Sequence, residues 1–172
     1  MALRPAVDNS DHTTGNDEAV LEIVEFGDYQ CPHCGAAHPV IKAMLEEFGD
    51  EVKFVFRNFP LSQIHPLARP AALAAEAAAE QGMFWEMHDA IFEQQRRLDE
   101  SFLLQQAAHL SLNEEQFLDD SESAELNDKV DRDFESGMRS GVSGTPTFFV
   151  NGHKFEGSAV MLLNMVKSNA EQ

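Results

Sequence analysis

Two cysteines, Cys31 and Cys34, are the residues of this sequence whose spacing points most directly to chemistry. They are the only cysteines in the 172 residues, and Pro32 and His33 lie between them in the tetrapeptide CPHC. A disulfide between them would close a very short loop and restrict the unfolded chain much less than a long-range bridge, which argues against a purely stabilising role. We therefore predict that the pair carries out thiol–disulfide redox chemistry.

A structural zinc site is the second interpretation of the cysteine pair. Such a site normally needs four ligands, and the sequence has no second CxxC and no closely spaced histidine pair. His33 and His38 lie near the cysteines, but the other histidines are scattered along the chain. We therefore expect no metal site and no bound cofactor.

A strand and a helix must position the cysteines. Residues 19–28, AVLEIVEFGD, are rich in apolar and β-branched side chains and predict a buried strand. Residues 35–50 carry apolar side chains at helical spacing, and the pattern stops at Gly49, which predicts a helix. The CxxC then lies at a strand-to-helix junction, where Pro32 suits the first helical turn because its missing N–H would be unpaired there.

This placement predicts different roles for the two thiols. The unpaired backbone N–H groups and the dipole at a helix start favour an anion, so we expect Cys31 to be the attacking thiolate, with a lowered pKa. His33, when protonated, would add positive charge beside Cys31. Cys34 lies one turn into the helix, so we expect it to be more buried and to act as the resolving thiol.

Two further features lie outside the CxxC. Glu25 falls within the predicted buried strand. Burying a lone carboxylate costs free energy, so such a side chain tends either to be protonated or to have a function. Far along the chain, residues 140–157 predict a short strand, TFFV, followed by an Asn-Gly hairpin turn and a returning strand. Pro146 directly precedes TFFV, and an X–Pro bond at such a tight entry can adopt the cis form.

Composition limits the class of protein. The net charge of −18 argues against nucleic acid or an anionic membrane as a partner, whereas 43% apolar residues are enough for a hydrophobic core. No sequence window is apolar over the length of a membrane span, and the first twenty residues lack the apolar region of a secretory signal. The chain as it stands would be cytoplasmic, and its compartment remains open.

The remaining patterns predict an α/β fold. Residues 51–60 predict a second core strand, several helical patterns follow, and residues 158–169 predict a closing helix. Strands near both ends with helices between them indicate a small mixed sheet with an inserted helical subdomain. We expect a flexible N-terminal segment over residues 1–17 and one domain over residues 18–172, with the helical insertion at roughly 64–139.

The motif VEFGDYQCPHC, followed over a hundred residues later by GVSGTPTFFVNG, resembles the DsbA-like branch of the thioredoxin superfamily. The resemblance covers roughly residues 18–168 and implies a thioredoxin-like mixed sheet. It implies that CPHC is the active-site tetrapeptide of a disulfide oxidase. It also implies that Thr145–Pro146 is the cis-proline loop that faces the CxxC and binds substrate, and that Glu25 is the buried acid that accepts a proton from Cys34.

The same resemblance extends to the helical part of the chain and to the partners. Residues 56–95 resemble the helical insertion of compact bacterial members, some of which stand alone while others are fused to sodium/proton antiporters. The implied partners are cysteine-containing proteins or peptides and a redox partner protein, and we expect a monomer. Two alternatives are a glutathione-dependent transferase or isomerase on a related scaffold, and a non-enzymatic redox-responsive chaperone or interaction domain.

Overall fold

The chain alternates between strands and helices. The computed structural model describes residues 1–172. Its elements, in chain order, are β1 (His12–Gly15), β2 (Leu21–Gly27), α1 (Pro32–Phe48), β3 (Val52–Asn58), α2 (Ala68–Ala79), α3 (Phe84–Glu93), α4 (Glu100–His109), α5 (Glu114–Ser121), α6 (Ala124–Arg139), β4 (Thr147–Val150), β5 (His153–Phe155) and α7 (Ala159–Ala170). A single 3-10 turn, Gln95–Arg97, connects α3 to α4. None of the helices combines the length and the apolar character needed to cross a bilayer.

The five strands form one mixed sheet in the order β1-β3-β2-β4-β5. The central strands β2 and β3 are parallel, and every other neighbouring pair is antiparallel. Helix α1 is the crossover between β2 and β3, as a parallel connection requires. This arrangement confirms the predicted α/β class with a thioredoxin-like mixed sheet.

Both faces of the sheet are buried. Side chains alternate along a strand, so Ile23 of β2 faces one way while Val24 and Phe26 face the other. On the first face, Ile23 belongs to the large core that also contains Ile41 of α1 and Leu162 of α7. On the second face, Val24 and Phe26 pack in a smaller cluster. Each fully buried side chain of this size stabilises the fold by about 1.5–3 kcal/mol.

The helical layer lies between β3 and β4 in the chain. It consists of α2 to α6, from Ala68 to Arg139. Helix α2 is built largely from buried alanines, whose small side chains allow close packing of neighbouring helices. This layer also supplies α3, which packs beside α1 and so reaches the region of the CxxC.

The N-terminal segment differs from the sequence prediction, which placed residues 1–17 outside the domain as a flexible segment. Residues His12–Gly15 form an edge strand that pairs antiparallel with β3, and Leu3 is buried against the second face of the sheet. Asp11 forms an ion pair with Arg57 at 2.9 Å, and both side chains are almost completely buried. A guanidinium buried in β3 needs a carboxylate partner, and this segment supplies it.

Candidate active site

Cys31 and Cys34 lie at the start of α1, beyond the end of β2. Cys31 is the N-cap residue, with extended backbone angles, and Pro32 occupies the first helical turn. Both cysteines are free thiols and both are buried, with 4% of Cys31 and 1% of Cys34 exposed. The two cysteines therefore differ less in solvent exposure than the sequence predicts. The larger difference between them is in the pKa values of their thiols.

The surroundings of Cys31 stabilise its thiolate. A hydrogen bond from the Cys34 thiol lowers the pKa of Cys31 most, and the Thr145 side chain and the backbone N–H groups of Cys34 and His33 lower it further. Burial opposes these effects, and the resulting pKa is about 5. The neutral Cys31 side chain makes no capping hydrogen bond, so the N–H groups of the first helical turn remain available to a thiolate.

The surroundings of Cys34 have the opposite effect. Its hydrogen bond to Cys31, its burial and the nearby negative charge of Glu25 raise the pKa of Cys34 well above its usual range. The backbone N–H of Asp28 donates to Cys34 Sγ at 3.5 Å, which opposes the rise only in part. The site can therefore hold one thiolate and one thiol side by side at neutral pH.

Glu25 lies beneath the cysteines because of the strand period. It shares the α1 face of β2 with Ile23 and Gly27, and only 4% of the residue is exposed. Burial raises the pKa of Glu25 to about 8, and the negative charge of Cys31 contributes to the rise. A side chain at Gly27 would place its Cβ 2.9 Å from Glu25 Oε2 and 2.4 Å from the ring of Phe56, so this position needs glycine.

Thr145 lies directly against Cys31, and Pro146 follows it in the chain. Cys31 Sγ donates to the backbone carbonyl of Thr145 at 3.6 Å, and the Thr145–Pro146 peptide bond is cis. Thr145 Oγ1 is buried without a hydrogen-bond partner, so the hydroxyl is available to turn towards a Cys31 thiolate. Pro146 precedes β4, which pairs with β2, and this pairing brings the two distant motifs together.

The side chains of Pro32 and His33 are exposed. The backbone N–H of His33 is one of the groups that lower the pKa of Cys31. The imidazole is solvated at the surface of α1, where water screens any charge that it carries. The predicted role of this imidazole as the tuning group therefore has weaker support than the role of the helix start itself.

Asp28 is a site residue that the sequence interpretation missed. Its buried carboxylate accepts four hydrogen bonds: Oδ1 from the N–H groups of Gln30 (2.8 Å) and Cys31 (3.1 Å), and Oδ2 from Leu61 N–H (3.0 Å) and His65 Nδ1 (2.8 Å). The contact two residues ahead, from Gln30 N–H, is an Asx turn, so an aspartate just before CxxC was a usable signal. The contacts to Leu61 and His65 fix the CxxC turn to a distant loop, and nothing in the local pattern indicates them.

Gln95 is a second missed residue. Its Nε2 donates to the carbonyl oxygens of Tyr29 at 2.9 Å and Cys31 at 2.8 Å, and so fixes the backbone of the CxxC turn from the 3-10 turn after α3. A Cβ on Gly35 would lie 2.3 Å from Gln95 Oε1, so a larger residue at that position would displace the Gln95 side chain. The helical layer thus supplies a side chain that holds the active-site turn.

Comparison with known proteins agrees with this geometry. A protein-family model described as thioredoxin matches residues 8–161. Among solved structures, a thioredoxin-like oxidoreductase from Silicibacter pomeroyi superposes with a TM-score of 0.80 at 26% identity, over 96% of this chain and 95% of that chain. The thiol-disulfide exchange protein alpha-DsbA2 from Wolbachia pipientis superposes with a TM-score of 0.82 at 21% identity, over 94% of this chain and 88% of that chain.

Curated relatives are longer proteins. The chain is 41% identical over 153 residues to the Na(+)/H(+) antiporter NhaA 3 of Salinispora tropica, a match that covers 89% of this chain and 23% of the relative. The chain thus spans about a quarter of the length of the curated relatives that it matches. The family model and the solved structures together confirm the resemblance found in the sequence, and the chain belongs to the thioredoxin family.

Proposed function

We propose that this chain catalyses thiol–disulfide exchange with cysteine-containing proteins or peptides, and that it acts mainly as an oxidase. The observation that carries the proposal is the contrast between the two thiols, with a pKa of about 5 at Cys31 and a pKa well above the usual range at Cys34. A thiol of low pKa is a good leaving group, so a mixed disulfide at Cys31 transfers its oxidising equivalent readily. The solved structures named for thiol-disulfide exchange and oxidoreductase activity support the same class.

The reaction begins with the Cys31–Cys34 disulfide. A substrate thiolate attacks the sulfur of Cys31, a bond forms between these two sulfurs, and the bond to Cys34 breaks. The sulfur of Cys34 leaves with the electron pair and takes up a proton, because its raised pKa makes the thiolate unfavourable. A second substrate thiolate then attacks the substrate sulfur of the mixed disulfide and releases Cys31 as a stable thiolate. The substrate gains a disulfide, and the two cysteines of the protein are reduced.

Glu25 supplies or accepts the proton at Cys34. With a pKa of about 8, this carboxyl is mainly neutral at pH 7 and can give its proton to the departing Cys34 sulfur. In the reverse direction the carboxylate accepts the proton from Cys34. This role agrees with the position of Glu25 beneath the cysteines and with the repulsion that its charge exerts on a Cys34 thiolate.

The substrate binds as an extended segment beside Pro146. The Thr145–Pro146 bond lies next to Cys31, so a strand that pairs with this backbone would place its cysteine at the reactive sulfur. We propose that the exchange reaction needs no bound cofactor. A redox partner protein restores the disulfide, and the chain acts as a monomer.

A trapping experiment tests the proposed exchange. Cys34→Ser removes the resolving thiol, so its Cys31 thiolate should displace the activating group from a single-cysteine peptide that carries an activated mixed disulfide, and the disulfide between Cys31 and the peptide should accumulate. The matched Cys31→Ser variant should accumulate none. The oxidised wild type should convert a reduced two-cysteine peptide to its disulfide. Trapping through Cys34 would contradict the assigned roles of the two cysteines. A wild type that turns over neither this peptide nor insulin would favour the non-enzymatic chaperone or the glutathione-dependent class. A structure of the trapped complex with the peptide bound away from Pro146 would contradict the strand-pairing proposal.

Glu25→Gln tests the proton-transfer role. We expect resolution of the mixed disulfide to slow by about tenfold or more, because general acid–base catalysis is lost. The same variant should be more stable than the wild type at pH 8, because its amide carries no charge to bury. A raised pKa means that the folded protein holds the proton more tightly than the unfolded chain, so the free energy of unfolding falls as pH rises from the unfolded pKa to about 8. The control is Glu22→Gln, on the same strand. Unchanged resolution in Glu25→Gln would limit Glu25 to a structural role.

A further inference from the structure

Four side chains of α1 and α3 form a second polar cluster, one turn beyond Cys34. His38 comes from α1, and His88, Asp89 and Glu93 come from α3. Both histidines are buried, with 6% of His38 and 4% of His88 exposed. His38, His88 and Asp89 each offer one ligand atom, and these three atoms lie within 4.8 Å of one another.

Two distances in this cluster are close to those between ligands of a small tetrahedral cation. Bonds of about 2.0–2.2 Å to nitrogen and oxygen place the ligand atoms around tetrahedral zinc roughly 3.3–3.6 Å apart. His38 Nε2 lies 3.6 Å from Asp89 Oδ1 and 3.1 Å from Glu93 Oε2. His38 therefore lies at nearly the required distance from both carboxylates, and the ligand atom of His88 lies within 4.8 Å of those of His38 and Asp89.

The surrounding groups orient these ligands. The Tyr29 hydroxyl lies 2.8 Å from His88 Nδ1, so when Nδ1 carries the proton and donates it to Tyr29, the lone pair of the imidazole is on Nε2. Lys42 Nζ donates to Asp89 Oδ2 at 2.7 Å and leaves Oδ1 facing His38. Such outer contacts commonly fix the tautomer and the orientation of metal ligands.

We propose that His38, His88, Asp89 and Glu93 bind a divalent transition-metal cation of the zinc type, which clamps α1 to α3. Two imidazoles with two carboxylates favour zinc over calcium or magnesium, which prefer sites made entirely of oxygen ligands. This site is separate from the redox chemistry of Cys31 and Cys34. The sequence predicted no metal site because the two histidines are far apart in the chain and meet only where α1 packs against α3.

The competing explanation is an ion-pair cluster that needs no metal. A protonated His38 would pair with Glu93 and Asp89 at the observed distances. The chain also carries a net charge of −18, so weak binding of cations at its surface is expected. The test must therefore separate a built site from general attraction of cations and from binding by the thiols.

The experiment uses the protein with the Cys31–Cys34 disulfide formed, which removes both thiolates as ligands. Calorimetric titration with Zn²⁺ should show one saturable site, and Co²⁺ should give the intense visible bands of a tetrahedral site without thiolate charge transfer. His38→Gln and Glu93→Gln should each weaken Zn²⁺ binding by at least about tenfold. The matched controls are Glu86→Gln, which removes the same charge from the exposed face of α3, and His109→Gln, which removes an exposed imidazole. Both should bind as the wild type does.

The controls also define the results that would overturn the proposal. No saturable binding to the oxidised wild type, or equal weakening by Glu86→Gln and Glu93→Gln, would leave only an ion-pair cluster and general attraction of cations. Glu93 keeps the test valid even if the histidine variant does not fold, because its side chain is 54% exposed and its removal leaves the core intact. Octahedral Co²⁺ bands would likewise exclude the tetrahedral site.

Discussion

Iodoacetamide should alkylate Cys31 of the folded, reduced protein at pH 6 at least about a hundredfold faster than Cys34. The reactive species is the thiolate, and with a pKa of about 5 the thiol of Cys31 is about nine-tenths ionised at this pH. The raised pKa of Cys34 leaves it almost entirely protonated. The rate at Cys31 should rise with a midpoint near pH 5 and then stay level, and mass spectrometry of the peptides reports both sites.

The absolute rate at Cys31 will be lower than its thiolate fraction alone suggests. The nucleophilicity of a thiolate falls with its pKa, with a slope of about 0.4–0.5 in logarithmic units. The ratio between the two cysteines and the midpoint of the pH profile are therefore the decisive measurements. The control is the unfolded chain, in which both cysteines should react alike with a midpoint near 8.5. Equal rates in the folded protein, or a midpoint near 8.5 at Cys31, would contradict the assignment of roles.

Local patterns were sufficient to predict the geometry of the redox pair. The apolar strand ending at Gly27, Pro32 in the first helical turn and the stop at Gly49 together place the CxxC at a helix start, and α1 spans Pro32–Phe48. The Asn151–Gly152 turn was equally clear, because both residues adopt the positive φ that this dipeptide favours. Each of these features depends on residues a few positions apart, which a pattern in one sequence can show.

Contacts between distant elements could not be predicted in this way. The Asp28 carboxylate receives a hydrogen bond from His65, and His38 packs near His88 across two helices. Nothing in the spacing of these residues indicates that they meet, because the packing of helices on the sheet decides it. The N-terminal strand was missed for a similar reason, since its partner Arg57 lies in β3 and only the buried Arg57–Asp11 pair shows why the segment folds back.

The thiolate of Cys31 should also make the stability of the reduced protein depend on pH. The free energy of unfolding of the reduced protein, relative to the oxidised protein, should rise by about 3 kcal/mol between pH 4 and pH 8. The folded pKa of Cys31 is about 5, below its unfolded value of about 8.5. The folded reduced protein therefore holds this proton less tightly than the unfolded chain. The stabilisation is fully present above the unfolded pKa and disappears as pH falls through the folded pKa. The oxidised protein has no thiolate and gains nothing.

The pH dependence is more informative than the stability difference at one pH. The disulfide restricts the unfolded chain and so stabilises the oxidised protein, but this contribution does not change with pH. The figure of about 3 kcal/mol is reduced from about 4 kcal/mol, the value that these two pKa values give between pH 4 and pH 8, to allow for screening by solvent. It corresponds to a change of roughly 65 mV in the potential of this two-electron couple, relative to the unfolded dithiol.

Urea unfolding of both redox forms at pH 4, 7 and 8 measures this effect, with two variants alongside. The pH profile of Cys31→Ser should run parallel to that of the oxidised wild type, because the thiolate that causes the difference between the two redox forms is gone. His33→Leu separates the two sources of stabilisation. A smaller pH dependence in this variant would show that the imidazole contributes, whereas an unchanged one would assign the effect to the helix start and the Cys34 hydrogen bond.

Parallel pH profiles of the two redox forms would contradict a thiolate at Cys31. An oxidised protein that is clearly the more stable form at pH 7 would make the disulfide a weak oxidant, and the proposed oxidase direction would then be wrong.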